Sequence, residues 1–115
     1  MDGTSVSPQE LYARLGTAAA PVLVDVRRAE AFGADDAVIV GAMHRPPESV
    51  SEWRADLPKN RAVVVYCVHG HEVSQGVAKI LQNAGIKAAY LEGGIAGWTE
   101  RQLPTRRKRD ASENK

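Results

Sequence analysis

The sequence predicts an α/β fold: a central, mostly parallel sheet of about four to five strands, flanked by helices on both faces. Two observations carry this expectation. Short runs rich in valine, such as Val22-Leu23-Val24 and Val63-Val64-Val65, are apolar at successive positions rather than at alternate ones, as strands buried on both faces are. Between them lie stretches with helical spacing, and strands alternating with helices build parallel sheets covered on both sides.

The elements follow in order. Ser7-Pro8-Gln9-Glu10 has the form of a helix start, with Ser7 as N-cap, proline at the first helical position and glutamate three residues after the cap. Leu11 and Leu15 share one face of that helix and Gly16 ends it. A strand is expected over 21–27, then a brief helical turn over 28–32 and a loop over 33–36. Val38-Ile39-Val40 reads as a second strand, closed by a segment containing Pro46-Pro47, a stiff non-helical connection. A helix over 48–57, stopped by Pro58, would turn Val50, Trp53 and Leu57 toward the core. A strand over 61–66 delivers Cys67. The spacing then predicts a helix over 74–84 with Val77, Ile80 and Leu81 on one face and Gly85 at its cap. Residues 88–91 form another buried strand, and Glu92-Gly93-Gly94 leads into a last helix over 95–102 carrying Trp98. Residues 1–6 are expected to be a flexible terminus, 7–104 the folded domain, and 105–115 a charged, disordered tail containing Arg106-Arg107-Lys108-Arg109. No internal repeat and no second domain stand out.

With 115 residues, 43% of them hydrophobic and 25% charged, the chain suits one compact domain. A formal net charge of +1 gives no overall bias toward nucleic acid or membrane. The basic run at 106–109 reads as a solvated tail. The single cysteine cannot form an internal disulfide, and one unpaired thiol suits a reducing compartment. The start lacks a signal-peptide pattern and no apolar run is long enough to span a bilayer, so a cytoplasmic location is expected.

The chemistry concentrates at Cys67-Val68-His69-Gly70-His71-Glu72-Val73-Ser74. A thiol at the end of a strand, followed by a glycine-bearing loop and a helix N-terminus, sits where loop amides and the helix dipole favour a negative charge. Both lower a thiol's pKa. In parallel sheets, reactive groups also sit just beyond the carboxyl ends of the strands. Cys67 is the expected nucleophile, with the amides of 68–74 around it. His69 and His71 can supply protonated imidazole, while Glu72 would repel an anionic substrate. Arg45, beside His44, is a candidate cation for the pocket rim. Cys67, His69 and His71, with His44, also have the chemistry of metal ligands, but alternate loop residues rarely converge on one ion, and no metal is assigned. Asp25 and Arg27, with Glu30, read as a structural ion-pair group, Trp53 and Trp98 as core or pocket wall.

Four segments resemble the rhodanese family of single-domain sulfurtransferases over roughly residues 7–104. They are Val22-Leu23-Val24-Asp25-Val26-Arg27 with Glu30 and Phe32, Val40-Gly41-Ala42-Met43-His44-Arg45-Pro46, Val65-Tyr66-Cys67 through Gly70, and Leu91-Glu92-Gly93-Gly94-Ile95-Ala96-Gly97-Trp98. The resemblance implies the rhodanese-like three-layer fold. It also implies sulfur transfer through a Cys67 persulfide, from a donor such as thiosulfate, a persulfide or a polysulfide to a thiol or cyanide-like acceptor, an acceptor protein among them. No cofactor, nucleic acid or membrane partner is implied. The loop departs from the family in lacking an arginine: Glu72 stands at the usual position. If Ser74 starts the helix, the loop is one residue longer and Val73 takes that place. Thiosulfate is therefore expected to be a poor donor. Two alternatives remain: a non-catalytic module that binds a partner or senses oxidant or metal through Cys67, and phosphatase or arsenate reductase chemistry, against which the missing arginine counts.

Overall fold

A computed structural model of the protein describes residues 4–108. Seven strands, β1 (Ser5–Val6), β2 (Val22–Asp25), β3 (Ala37–Ile39), β4 (Met43–His44), β5 (Val63–Tyr66), β6 (Ala88–Leu91) and β7 (Thr105–Arg107), alternate with five helices. These are α1 (Pro8–Arg14), α2 (Ala29–Ala34), α3 (Val50–Trp53), α4 (Glu72–Asn83) and α5 (Gly94–Glu100). The main sheet runs β1-β6-β5-β2-β4 with every pairing parallel.

The valine-rich runs are central strands because both faces of the sheet are covered. Along β2 and β5, Val22, Val24, Val63 and Val65 point into one core with Val50, Trp53 and Leu57 and with Val77, Ala78 and Leu81 of α4. Leu23, Val64 and Tyr66 point into the other, with Leu11 of α1 and Ile95 and Trp98 of α5. Three layers result, as expected. The α1 capping box forms: Glu10 N donates to Ser7 Oγ at 3.1 Å and Ser7 N donates to Glu10 Oε1 at 2.8 Å.

Several local expectations are corrected. The helix over 48–57 is divided into a 3₁₀ turn at Pro47–Ser49, α3, and a second 3₁₀ turn at Arg54–Asp56. Proline bounds it at both ends, and Trp53 Nε1 donates to Pro46 O at 2.7 Å, which holds the entry turn down. β3 lies outside the main sheet and pairs antiparallel with β7, so the tail expected from Thr105 instead begins with an ordered strand. Its anchors are polar: Lys108 N donates to Asp36 O at 2.8 Å, Arg107 pairs with Asp36 at 3.5 Å, and the Lys108 ammonium sits 4.0 Å from the Phe32 ring centre while donating to Phe32 O. At the other end, Ser5 and Val6 extend the main sheet as β1. β1 and β7 thus lie beyond the expected limits at 7 and 104, while 1–3 and 109–115 lie outside the described residues.

Candidate active site

Cys67 is the first residue after β5, at the carboxyl edge of the sheet, and is 6% exposed. Its loop is short because α4 begins at Glu72, with His71 as N-cap. That is two residues earlier than the expected start at Ser74, which lies inside the first turn. This earlier start brings the Ser74 amide, one of α4's free N–H groups, to the sulfur. Burial pushes the Cys67 thiol up, but the Ser74 hydroxyl and the backbone amides of Ser74, Gly70 and His71 all hydrogen-bond to the sulfur, and the net effect lowers it below the ordinary thiol value. Cys67 Sγ and Ser74 Oγ are 3.2 Å apart, so the hydroxyl donates once the thiol has ionised. Gln75 Nε2 steadies the loop by donating to Gly70 O at 2.9 Å.

The far side of the loop is seated on α5. Ile95 N donates to Cys67 O at 3.0 Å and Ala96 N to Val68 O at 2.9 Å, which satisfies amides that a helix start otherwise leaves open. This approach requires glycine. A Cβ on Gly94 would lie 2.5 Å from Cys67 O and closer still to Val68 O, and one on Gly70 would lie 2.8 Å from Gly93 N and Leu91 O. Both residues also have positive φ, +59° and +75°. The Glu92-Gly93-Gly94 segment is therefore the mould of the cysteine loop, a role beyond the turn geometry expected for it.

Beneath the site, Asp25 and Arg27 form a buried pair. Arg27 Nη2 and Asp25 Oδ2 are 2.6 Å apart, Nη1 reaches Asp35 at 3.0 Å, and Nη2 donates to Ala37 O at 2.9 Å. Burial alone would lower the Arg27 pKa, but the Asp25 carboxylate more than offsets it and the guanidinium stays charged. The pair ties β2 to the segment leading into β3. Nearby, Tyr66 Oη accepts from Ile39 N at 3.1 Å, and burial, reinforced by the Asp25 carboxylate, keeps the phenol protonated.

Above this floor, a depression of about 460 Å³ is lined by Cys67, Val68, His69, His71, Glu72 and Val73 together with Arg27, Arg28 and Ala31. His69 and His71, with rings 6.3 Å apart, also border a second depression of about 710 Å³ that contains Asp35, Glu100 and Arg101. Gly70, from within the loop, and Ser74, from the first turn of α4, contribute to the sulfur's cradle. Arg45 is placed elsewhere: its guanidinium donates to His44 O at 2.8 Å and it lines a separate depression with Trp53 and Asp56. His44 is also apart from the thiol, stacked on Phe32 at 3.7 Å with Nε2 2.9 Å from Arg27 O. Among the described residues no group of three or more His, Cys, Asp or Glu side chains is placed to hold a metal ion, and no helix is long and apolar enough to cross a membrane. The cation that sequence reasoning missed is Arg28. Its only signal was its position next to Arg27 at the end of β2, where the sheet's carboxyl edge gathers side chains from distant parts of the chain.

Comparison with known proteins is consistent with this geometry. The model of the rhodanese-like domain matches residues 7–101. The chain is 35% identical to the thiosulfate sulfurtransferase GlpE of Tolumonas auensis over 66% of its own length and 70% of that protein's. It is 30% identical over 89% of its length to the probable adenylyltransferase/sulfurtransferase MoeZ of Mycobacterium tuberculosis, of which it spans only 26%. Among solved structures, a rhodanese-related protein from Thermoplasma volcanium superimposes with a TM-score of 0.78 at 25% identity, over 90% of this chain and 97% of the other.

Proposed function

The chain belongs to the rhodanese-like domain family, and on that premise we propose that it is a sulfurtransferase working through a persulfide on Cys67. One observation carries the reading: the Cys67 sulfur lies in a cradle of the amides of Gly70, His71 and Ser74 and the Ser74 hydroxyl, at the N-terminus of α4. Such a cradle stabilises a thiolate before reaction and the terminal sulfur of a persulfide after it.

In the first half-reaction the thiolate attacks the outer sulfur of a donor R–S–S⁻ or of thiosulfate. The new S–S bond forms on Cys67 as the donor's S–S bond breaks, and the donor leaves as a thiolate or as sulfite. In the second, a nucleophilic acceptor attacks the outer sulfur of Cys67–S–S⁻ and the cysteine thiolate is restored. No net oxidant or reductant is needed. Val68, His69, His71, Glu72 and Val73 line the depression through which the sulfur is reached, which supports their role in binding donor and acceptor. Thiosulfate is expected to react slowly, because the Glu72 carboxylate shares that depression. A thiol that works in its reduced form is in keeping with a reducing compartment such as the cytoplasm.

Mass spectrometry after treatment with thiosulfate, a hydropersulfide or polysulfide should show one added sulfur per chain. Cys67→Ser should abolish it, and a thiol acceptor should remove it. A Cys67 that gains no sulfur from any of these donors would refute the proposal.

A further inference from the structure

The depression that holds Cys67 also holds one cation and one anion that the fold leaves unused. Arg28, the N-cap of α2, and Glu72, the first residue of α4, both line it and both are exposed. Its other arginine, Arg27, is neutralised by Asp25 and Asp35. By contrast, neither the Arg28 guanidinium nor the Glu72 carboxylate has a hydrogen-bond or ion-pair partner among the described residues, and no ion pair joins them to each other. Two opposite charges that line one pocket and form no ion pair with each other are complementary to a ligand that carries both signs.

Building on the sulfurtransferase reading, we propose that the sulfur donor is a small zwitterionic hydropersulfide, an amino acid of the cysteine type bearing R–S–SH. Its α-carboxylate pairs with Arg28, its α-ammonium faces Glu72, and its outer sulfur reaches the Cys67 thiolate. The guanidinium fork suits a carboxylate. Ala31, Val68 and Val73 provide apolar wall for the methylene between the charges and the sulfur. The volume of about 460 Å³ admits an amino acid of this size. Loading is balanced: Cys67–S⁻ plus R–S–SH gives Cys67–S–SH plus R–S⁻. A dianion such as thiosulfate gains the Arg28 contact but is opposed by Glu72. Arg28 and Glu72 thus set donor choice, whereas the cradle around the sulfur supplies the reactivity.

The test measures initial rates of sulfur loading on Cys67, by mass spectrometry, from cysteine hydropersulfide, from its N-acetyl derivative, which lacks the ammonium, and from thiosulfate. Wild type should load from the free amino acid about two- to fivefold faster than from the N-acetyl form, the range expected for exposed charge pairs. Glu72→Gln should erase that ratio and raise the thiosulfate rate by a similar factor. Arg28→Gln should slow all three donors, and Arg28→Lys should restore most of the loss. The ratio between two donors on one variant cancels any general effect on folding or thiol reactivity. An unchanged ratio in Glu72→Gln, or undiminished loading in Arg28→Gln, overturns this assignment while leaving sulfur transfer intact. Absence of loading from every donor overturns both.

Discussion

Substituting Gly94 by alanine tests whether the α5 start moulds the cysteine loop. The added Cβ would stand 2.5 Å from Cys67 O, so the loop must withdraw by about 0.9 Å to reach ordinary contact, which begins near 3.4 Å. Withdrawal breaks or weakens the bonds from Ile95 N to Cys67 O and from Ala96 N to Val68 O, now 3.0 and 2.9 Å long, at about 1 kcal/mol each. Alanine held at φ +59° costs about 1 kcal/mol more. The sum, about 3 kcal/mol, is a large share of the 5–15 kcal/mol that typically holds a domain together. Two other glycines serve as controls. A Cβ on Gly97, inside α5, would make only ordinary contacts with the Arg101 side chain at 3.5 Å and Glu92 O at 3.9 Å, so that change should be neutral to stabilising by up to about 1 kcal/mol. Gly76, inside α4, has open space around it, and alanine there should stabilise by about 1 kcal/mol through helix propensity. Urea unfolding curves of the three variants, at unchanged slope, give the ranking. A Gly94→Ala protein within about 1 kcal/mol of wild type, or no less stable than Gly97→Ala, would refute the moulded-loop account.

Two further outcomes concern the thiol itself. Ser74→Ala removes the hydroxyl 3.2 Å from Cys67 Sγ, a bond to a charged group worth about 1.5 kcal/mol. Alkylation of Cys67 by iodoacetamide, followed across pH, should then shift to higher pH; an unmoved profile would show that the hydroxyl does not stabilise the thiolate. The same lowering of the thiol pKa makes stability pH-dependent. The unfolded thiol binds its proton more tightly than the folded one, so the stabilisation is fully present above the unfolded thiol value of about 8.5. It is lost as pH falls through the folded value. The stability of wild type relative to Cys67→Ser should therefore grow as pH rises from the folded thiol value to the unfolded one and then level off, and a flat or falling difference would contradict the cradle.

What the sequence made legible follows from burial. β2, β5 and β6 were readable because strands enclosed on both faces must be apolar at every position, and α1 because Ser7, Pro8 and Glu10 form a local cap. β7 was not readable: Thr105, Arg106 and Arg107 are exposed, so no apolar period marks them, and their pairing with β3 depends on Asp36 and Phe32 far away in the chain. The start of α4 was placed late because Glu72 and Val73 carry no cap signal, and His71 as N-cap makes no side-chain capping bond. At the site, Cys67 and its loop could be located from the strand-to-helix transition. Arg28 could not, since its approach to the thiol is made by the sheet's topology. Arg45 was a reasonable candidate by chemistry, yet its own neighbour's carbonyl and the Trp53 side of the molecule claim it.

The seating of the loop on α5 has a consequence for how the protein is made. The carbonyls of Cys67 and Val68 are closed by amides of residues 95 and 96, which the ribosome adds well after the cysteine. A nascent chain that has completed α4 already carries the nucleophile, Gly70 and Ser74, but lacks the surface that shapes them. The geometry of the thiol's loop is therefore tied to the synthesis of α5, and a fragment terminated before it lacks the amides that seat that loop.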